Sequence, residues 1–139
     1  MRGLNTFESC KAVIDSVLSG PLKPDAVIAT GDLVQDETRQ GYERFMALLG
    51  PLDVPVHCVP GNHDSPRIMA EVLSAPPFYF CGTGVYGNWC LIMLNSAIRW
   101  DDGGRLDAEQ GGAGAGARSE RGALRRAHLA DMREPEREA

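Results

Sequence analysis

Ala26-Val27-Ile28-Ala29-Thr30-Gly31-Asp32-Leu33-Val34-Gln35-Asp36 and Val54-Pro55-Val56-His57-Cys58-Val59-Pro60-Gly61-Asn62-His63-Asp64 carry one plan twice, a short apolar run that stops abruptly in a polar loop. Short runs rich in Val and Ile read as buried parallel strands. Between them, Glu37 to Leu49 returns to helical spacing, with Tyr42, Phe45, Met46 and Leu49 on one face, and Gly50-Pro51 closes the helix. Strand, helix, strand with short connections predicts parallel pairing through a right-handed crossover. Both strand ends, Gly31-Asp32 and the loop from Pro60 to Asp64, then lie on one edge of the sheet. Ligand chemistry in such sheets gathers at that edge. The fold class is α/β.

Working outward, Asn5 stands at a cap position with Glu8 three residues on. Phe7, Cys10, Val13, Ile14, Val17 and Leu18 follow at helical spacing until Gly20-Pro21. On the other side, Ser65 to Leu73 reads as a short helix, broken by Ala75-Pro76-Pro77. Phe78 to Cys81 and Val85 to Leu94 read as strands around a Cys81-Gly82-Thr83-Gly84 turn, the last ending at Asn95-Ser96. From Asp101 onward the chain contains no Val, Ile, Thr, Phe, Tyr, Trp, Lys or Cys, and such a composition cannot build a core. The expected organisation is one domain over residues 1–110 and an Ala, Gly, Arg and Glu-rich tail over 111–139, disordered or loosely helical.

The 139 residues suffice for one domain but not for two separate cores. A formal net charge of −5 repels polyanions, so nucleic acid is excluded as an expected partner. No apolar run is long enough to span a membrane, and Met1 to Glu8 lacks the apolar core of a secretory signal, from which a cytoplasmic location is expected. Cys10, Cys58, Cys81 and Cys90 form no C-x-x-C pair and are expected to be reduced thiols, mostly buried. His57, within a strand pattern, is expected to be a core or edge histidine. His128 lies in the biased tail, Arg67 reads as a solvated helix residue that could reach a phosphate, and Trp89 and Trp100 read as packing residues.

Gly31-Asp32 or Gly61-Asn62-His63-Asp64 alone could be an ordinary turn, since Asp and Asn serve turns well. Together, at the ends of neighbouring strands joined by one helix, they resemble the second and third motifs of the calcineurin-like phosphoesterases. The similarity is greatest to the bacterial 3′,5′-cyclic-AMP phosphodiesterase branch. It rests also on Gly3-Leu4-Asn5-Thr6-Phe7-Glu8-Ser9, on Thr30 to Asp36, on Leu94-Asn95-Ser96 and on Gly104-Arg105-Leu106, and spans roughly residues 3 to 110. The resemblance implies about the first half of a two-sheet sandwich flanked by helices, and hydrolysis of a small-molecule phosphodiester, a 3′,5′-cyclic nucleotide such as cAMP. It implies two divalent cations, Fe2+ or Mn2+. Asp32 would bridge them, because a carboxylate has two oxygens to share between hard cations. Asn62 would give one metal a neutral amide oxygen. His63 would be the catalytic partner that donates a hydrogen bond or proton to a phosphoryl or leaving oxygen. Asp32, Asn62 and His63 are thus the substrate-binding set, and Asp36 and Asp64 are candidates to offset the metals' field at His63.

The chain departs from the family pattern in its other ligands. A complete member has an Asp-x-His at its first strand, then later a lone His and a Gly-His-x-His segment, whereas the three histidines here are His57, His63 and His128. Leu106-Asp107-Ala108-Glu109-Gln110 resembles the start of the family's next helix, but Gly111-Gly112-Ala113-Gly114-Ala115-Gly116 replaces its expected apolar face, as a GC-rich gene read in a wrong frame would produce. The expectation is a truncated or frameshifted, poorly active form. The alternative is a non-catalytic binding or regulatory module on the same scaffold, and a further one is a complete site formed between two chains or with a separately encoded C-terminal half. The oligomeric state is left open.

Overall fold

The structure is a computed structural model that describes residues 5–98 and 101–106. Helix α1, Thr6–Ser19, begins as its cap residues dictate, with the Asn5 side chain accepting the Glu8 N–H at 3.4 Å. Strand β1, Val27–Ala29, leads through the first polar loop to helix α2, Arg39–Leu49, capped by Thr38, whose hydroxyl oxygen accepts the Gly41 N–H at 3.0 Å. A 3-10 turn at Gly50–Leu52 reverses the chain into β2, Val56–Cys58. The second polar loop, helix α3 at Pro66–Val72 and strand β3 at Phe78–Phe80 follow. β1, β2 and β3 form a three-stranded parallel sheet in that order, with Val27 opposite Val56 and Val56 opposite Phe78.

The core lies between this sheet and the helices. Ile14, Tyr42, Leu49, Val56, Cys58, Met69, Leu73 and Phe78 are buried together. This follows from the strand period of two: Val56 and Cys58 point to the helices while His57, between them, points to the other face. β2, flanked on both sides, is buried throughout, but β1 is an edge strand with Ile28 53% exposed. The reading of β1 as a buried strand is corrected accordingly: Val27 and Ala29 are half-buried and Ile28 is exposed. α1 is likewise less covered than its apolar spacing implies: Ile14 is its buried residue, and Phe7 and Val13 are exposed.

The greatest departure comes after β3. Val85 to Leu94 is not one strand but part of a hairpin, β4 (Gly82–Tyr86) and β5 (Trp89–Met93), paired antiparallel with Tyr86 opposite Trp89. The turn is at Gly87-Asn88, and Gly82, Thr83 and Gly84 belong to the strand. Gly84 is required there by proximity: a Cβ on it would stand 2.9 Å from the His57 ring. His57 is 3% exposed, hydrogen-bonded through Nε2 to the Tyr86 hydroxyl and stacked on Tyr79 with ring centroids 5.3 Å apart. It is buried as expected of a core histidine and fastens the hairpin to the sheet, but its buried Nδ1 has no hydrogen-bond partner among the described residues. A last ribbon pairs β6, Ala97–Ile98, with β7, Asp101–Gly104, so ordered structure extends past the point where the composition changes. The tail over 111–139, His128 and Trp100 lie outside the described residues.

Two further expectations are corrected. Of the cysteines only Cys58 is buried; Cys10 is exposed on the solvent side of α1, and Cys81 and Cys90 are intermediate. All four are free thiols, and burial, with Asp64 and Cys81 nearby, pushes Cys58 up to about 12. Trp89 does not pack: at the tip of the hairpin it is 78% exposed. No helix among the described residues is long and apolar enough to cross a membrane.

Burial holds the His57 imidazole below its ordinary range. The folded state therefore favours the neutral ring, and stability present above the unfolded value of about 6.5 is lost as the pH falls from there through the lower folded-state value. Urea unfolding at pH 7.5 and pH 5.0 should show a loss on acidification that is smaller in His57→Gln. Equal losses in the two proteins would refute the assignment.

Candidate functional site

Both polar loops emerge at the same edge of the sheet, as parallel pairing requires. The first turns sharply: Gly31 has φ +105° and Asp32 has φ +51°. The left-handed conformation at a residue with a Cβ costs of order 1 kcal/mol, and Asp is among the side chains that tolerate it. The second loop packs against the first backbone to backbone. A Cβ on Gly31 would stand 2.6 Å from the Gly61 nitrogen, and one on Gly61 would stand 2.5 Å from the Asp32 nitrogen and overlap the Asp32 carboxylate. Glycine at both positions is the condition for this approach.

The contact places Asp32 against the loop that carries Asn62 and His63. The His63 N–H donates to Asp32 Oδ1 at 3.3 Å. Asp32 and His63 are exposed and Asn62 is half-buried, so this edge faces solvent. The structure therefore brings Asp32 together with the loop of Asn62 and His63.

Asp64 has a different place from the one expected of it. It is not a carboxylate facing His63 but a buried one, 1% exposed, that ties the two loops together. Its oxygens accept the Leu33 N–H from the first loop at 3.2 and 3.1 Å, the Gly61 N–H from the second at 3.0 Å, and the Tyr42 hydroxyl from α2 at 3.1 Å. A buried carboxylate demands such donors, because leaving it unbonded costs several kcal/mol. Asp36 is exposed and accepts the Thr38 N–H at 3.3 Å; the Thr38 backbone and side chain hold its carboxyl below the usual range. Arg67 remains an exposed helix residue, but it is engaged: Arg67 and Arg39 each bond Glu71 at 2.7 Å, joining α3 to α2. Tyr42 is the residue that sequence reading placed only on an apolar face. Its hydroxyl was the available signal, since a buried tyrosine hydroxyl needs a polar partner.

A carboxylate and an amide oxygen suit a hard divalent cation, yet two ions need more ligands than these. Among the described residues no three His, Cys, Asp or Glu side chains form a metal-holding group. One Asp32 oxygen, moreover, is already engaged by His63 N–H. The described residues do not by themselves fit the two-cation centre that the resemblance implies. The groove between α1 and α2, about 280 Å³ and lined by Phe7, Ile14, Leu18 and Leu48 among others, lies apart from Asp32, Asn62 and His63.

Known proteins resemble this chain in sequence. The model of the family described as calcineurin-like phosphoesterase matches residues 4–118. A 3′,5′-cyclic adenosine monophosphate phosphodiesterase CpdA of Haemophilus influenzae is 36% identical over 109 residues, which are 78% of this chain and 40% of the relative. The CpdA of Vibrio vulnificus is 32% identical over 77% of this chain and 39% of its own length. A 3′,5′-cyclic-nucleotide phosphodiesterase of Nostoc is 32% identical over 70% of this chain and 37% of its own length. The chain spans about two-fifths of the length of these relatives.

Gly31→Ala tests the loop packing. The added Cβ meets the Gly61 backbone in an unfavourable φ, and a loss of roughly 2 kcal/mol or more is expected in urea unfolding. A change below about 0.5 kcal/mol, the range of an ordinary surface substitution, would contradict the close approach.

Proposed function

This chain belongs to the calcineurin-like phosphoesterase family, and we propose that it serves metal-dependent hydrolysis of a phosphodiester, a 3′,5′-cyclic nucleotide such as cAMP. The carrying observation is the meeting of Asp32 with the 61–64 loop at one edge of the sheet. In this reading Asp32 and Asn62 are metal ligands of the carboxylate and amide type that Fe2+ or Mn2+ accept. His63, exposed on the same loop, is the group that hydrogen-bonds a phosphoryl oxygen of the substrate. The names of the relatives support the substrate class.

Among the described residues the ligand set falls short of a two-cation centre. Two ligand side chains hold cations weakly against water, so turnover without further ligands is slow. The same shortfall favours a second reading, a scaffold that binds a cyclic nucleotide or a partner without hydrolysing it.

One assay separates these readings. With Mn2+ and cyclic AMP, the purified chain should show slow hydrolysis that EDTA stops and that Asp32→Ala and His63→Ala abolish. Hydrolysis that survives EDTA or Asp32→Ala sinks the metal reading. Saturable cyclic-AMP binding with no turnover supports the binding module instead.

A further inference from the structure

Tyr42 is 0% exposed, and its ring packs in the core with Leu49, Met69 and Phe78. Packing alone would be served by phenylalanine. The hydroxyl does something else: it donates to Asp64 Oδ1 at 3.1 Å and accepts the Ser65 N–H at 2.8 Å. It thereby contacts both the carboxylate that joins the two polar loops and the backbone just after the second one. Burial raises the phenol above its ordinary range, so it stays a donor throughout the neutral region.

The first turn of α2 is also fixed to the first loop. A Cβ on Gly41 would stand 3.2 Å from the Val34 side chain and 2.6 Å from Asp36 Oδ1, so the helix start rests directly on residues 34–36. α2 therefore touches the first loop through Gly41 and grips the second through Tyr42. The spacing between the loops is set from the helix and not by their mutual contact alone.

We propose that Tyr42 is a positioning residue, whose hydroxyl sets the distance between the Asp32 loop and the Asn62-His63 loop through Asp64 and Ser65. It rests on the reading that these loops form the functional site. Tyr42 is buried behind the exposed edge, and through it the helix core becomes part of the site's geometry.

Tyr42→Phe in the full chain, labelled with nitrogen-15, tests this in two ways. Removing the hydroxyl takes one bond from the buried carboxylate, and amide exchange at Leu33 and Gly61 should speed up by about tenfold or more. Exchange at Val56 and Cys58 in β2 should change by less than about twofold, because β2 is the buried central strand of the sheet and opens with the core. Unchanged exchange at Leu33 and Gly61, or an equal acceleration everywhere, overturns the proposal. The second readout is Mn2+ titration followed at the Asp32 and Asn62 amides: the apparent Kd should rise severalfold in the variant, and an unchanged Kd also overturns it. A wild-type chain with no Mn2+ response at either amide refutes the metal reading of the site, while the exchange result still decides the role of Tyr42.

Discussion

Asp64 is a carboxylate almost wholly removed from water, and its demand for donors organises the edge of the sheet. The donors described above, Leu33 N–H, Gly61 N–H and the Tyr42 hydroxyl, come from three segments and are all uncharged. A buried carboxylate without donors is among the costliest groups a fold can contain. The two loops and α2 consequently converge on it. The position of Asp32 beside His63 follows from this convergence, with the glycines at 31 and 61 permitting the final approach. The candidate site is thus held by the hydrogen bonds that converge on one buried side chain.

The arrangement is economical in sequence but dependent on topology. Parallel pairing of β1 with β2 sends both loops to one side of the sheet, and the helix between the strands returns close enough for Tyr42 to reach Asp64. Asp32 accepts a left-handed backbone at the same place. An unfavourable conformation at an exposed acidic residue is kept when neighbouring contacts determine it, as they do here. His57 performs a similar task on the opposite face, where it joins the sheet to the β4–β5 hairpin.

Much of this was legible in the residues. Alternation of apolar runs with a helical period identified β1, α2 and β2 and their parallel order, and the Asn5 and Glu8 pair marked the start of α1. The convergence of Asp32 with the Asn62 loop followed from topology. The hairpin was missed because Gly82 and Gly84 suggest a turn, whereas Gly87-Asn88, a favourable two-residue connection, makes it; only the nearness of the His57 ring explains Gly84 within a strand. The role of Asp64 was misread for a related reason. Spacing puts a carboxylate next to His63, but whether its side chain faces solvent or the interior depends on Leu33 and Tyr42, residues distant in sequence. The exposure of Cys10, Trp89 and Ile28 was equally hidden, because periodicity shows which face is apolar and not whether anything covers it.

Paramagnetic broadening by Mn2+ on the nitrogen-15-labelled chain tests most directly that the two loops address one spot. Amides of residues 31–33 and 61–63 should broaden together, at the same Mn2+ concentration, ahead of other acidic sites. Broadening of one loop without the other, or at scattered surface carboxylates alone, would contradict a shared site at this edge of the sheet.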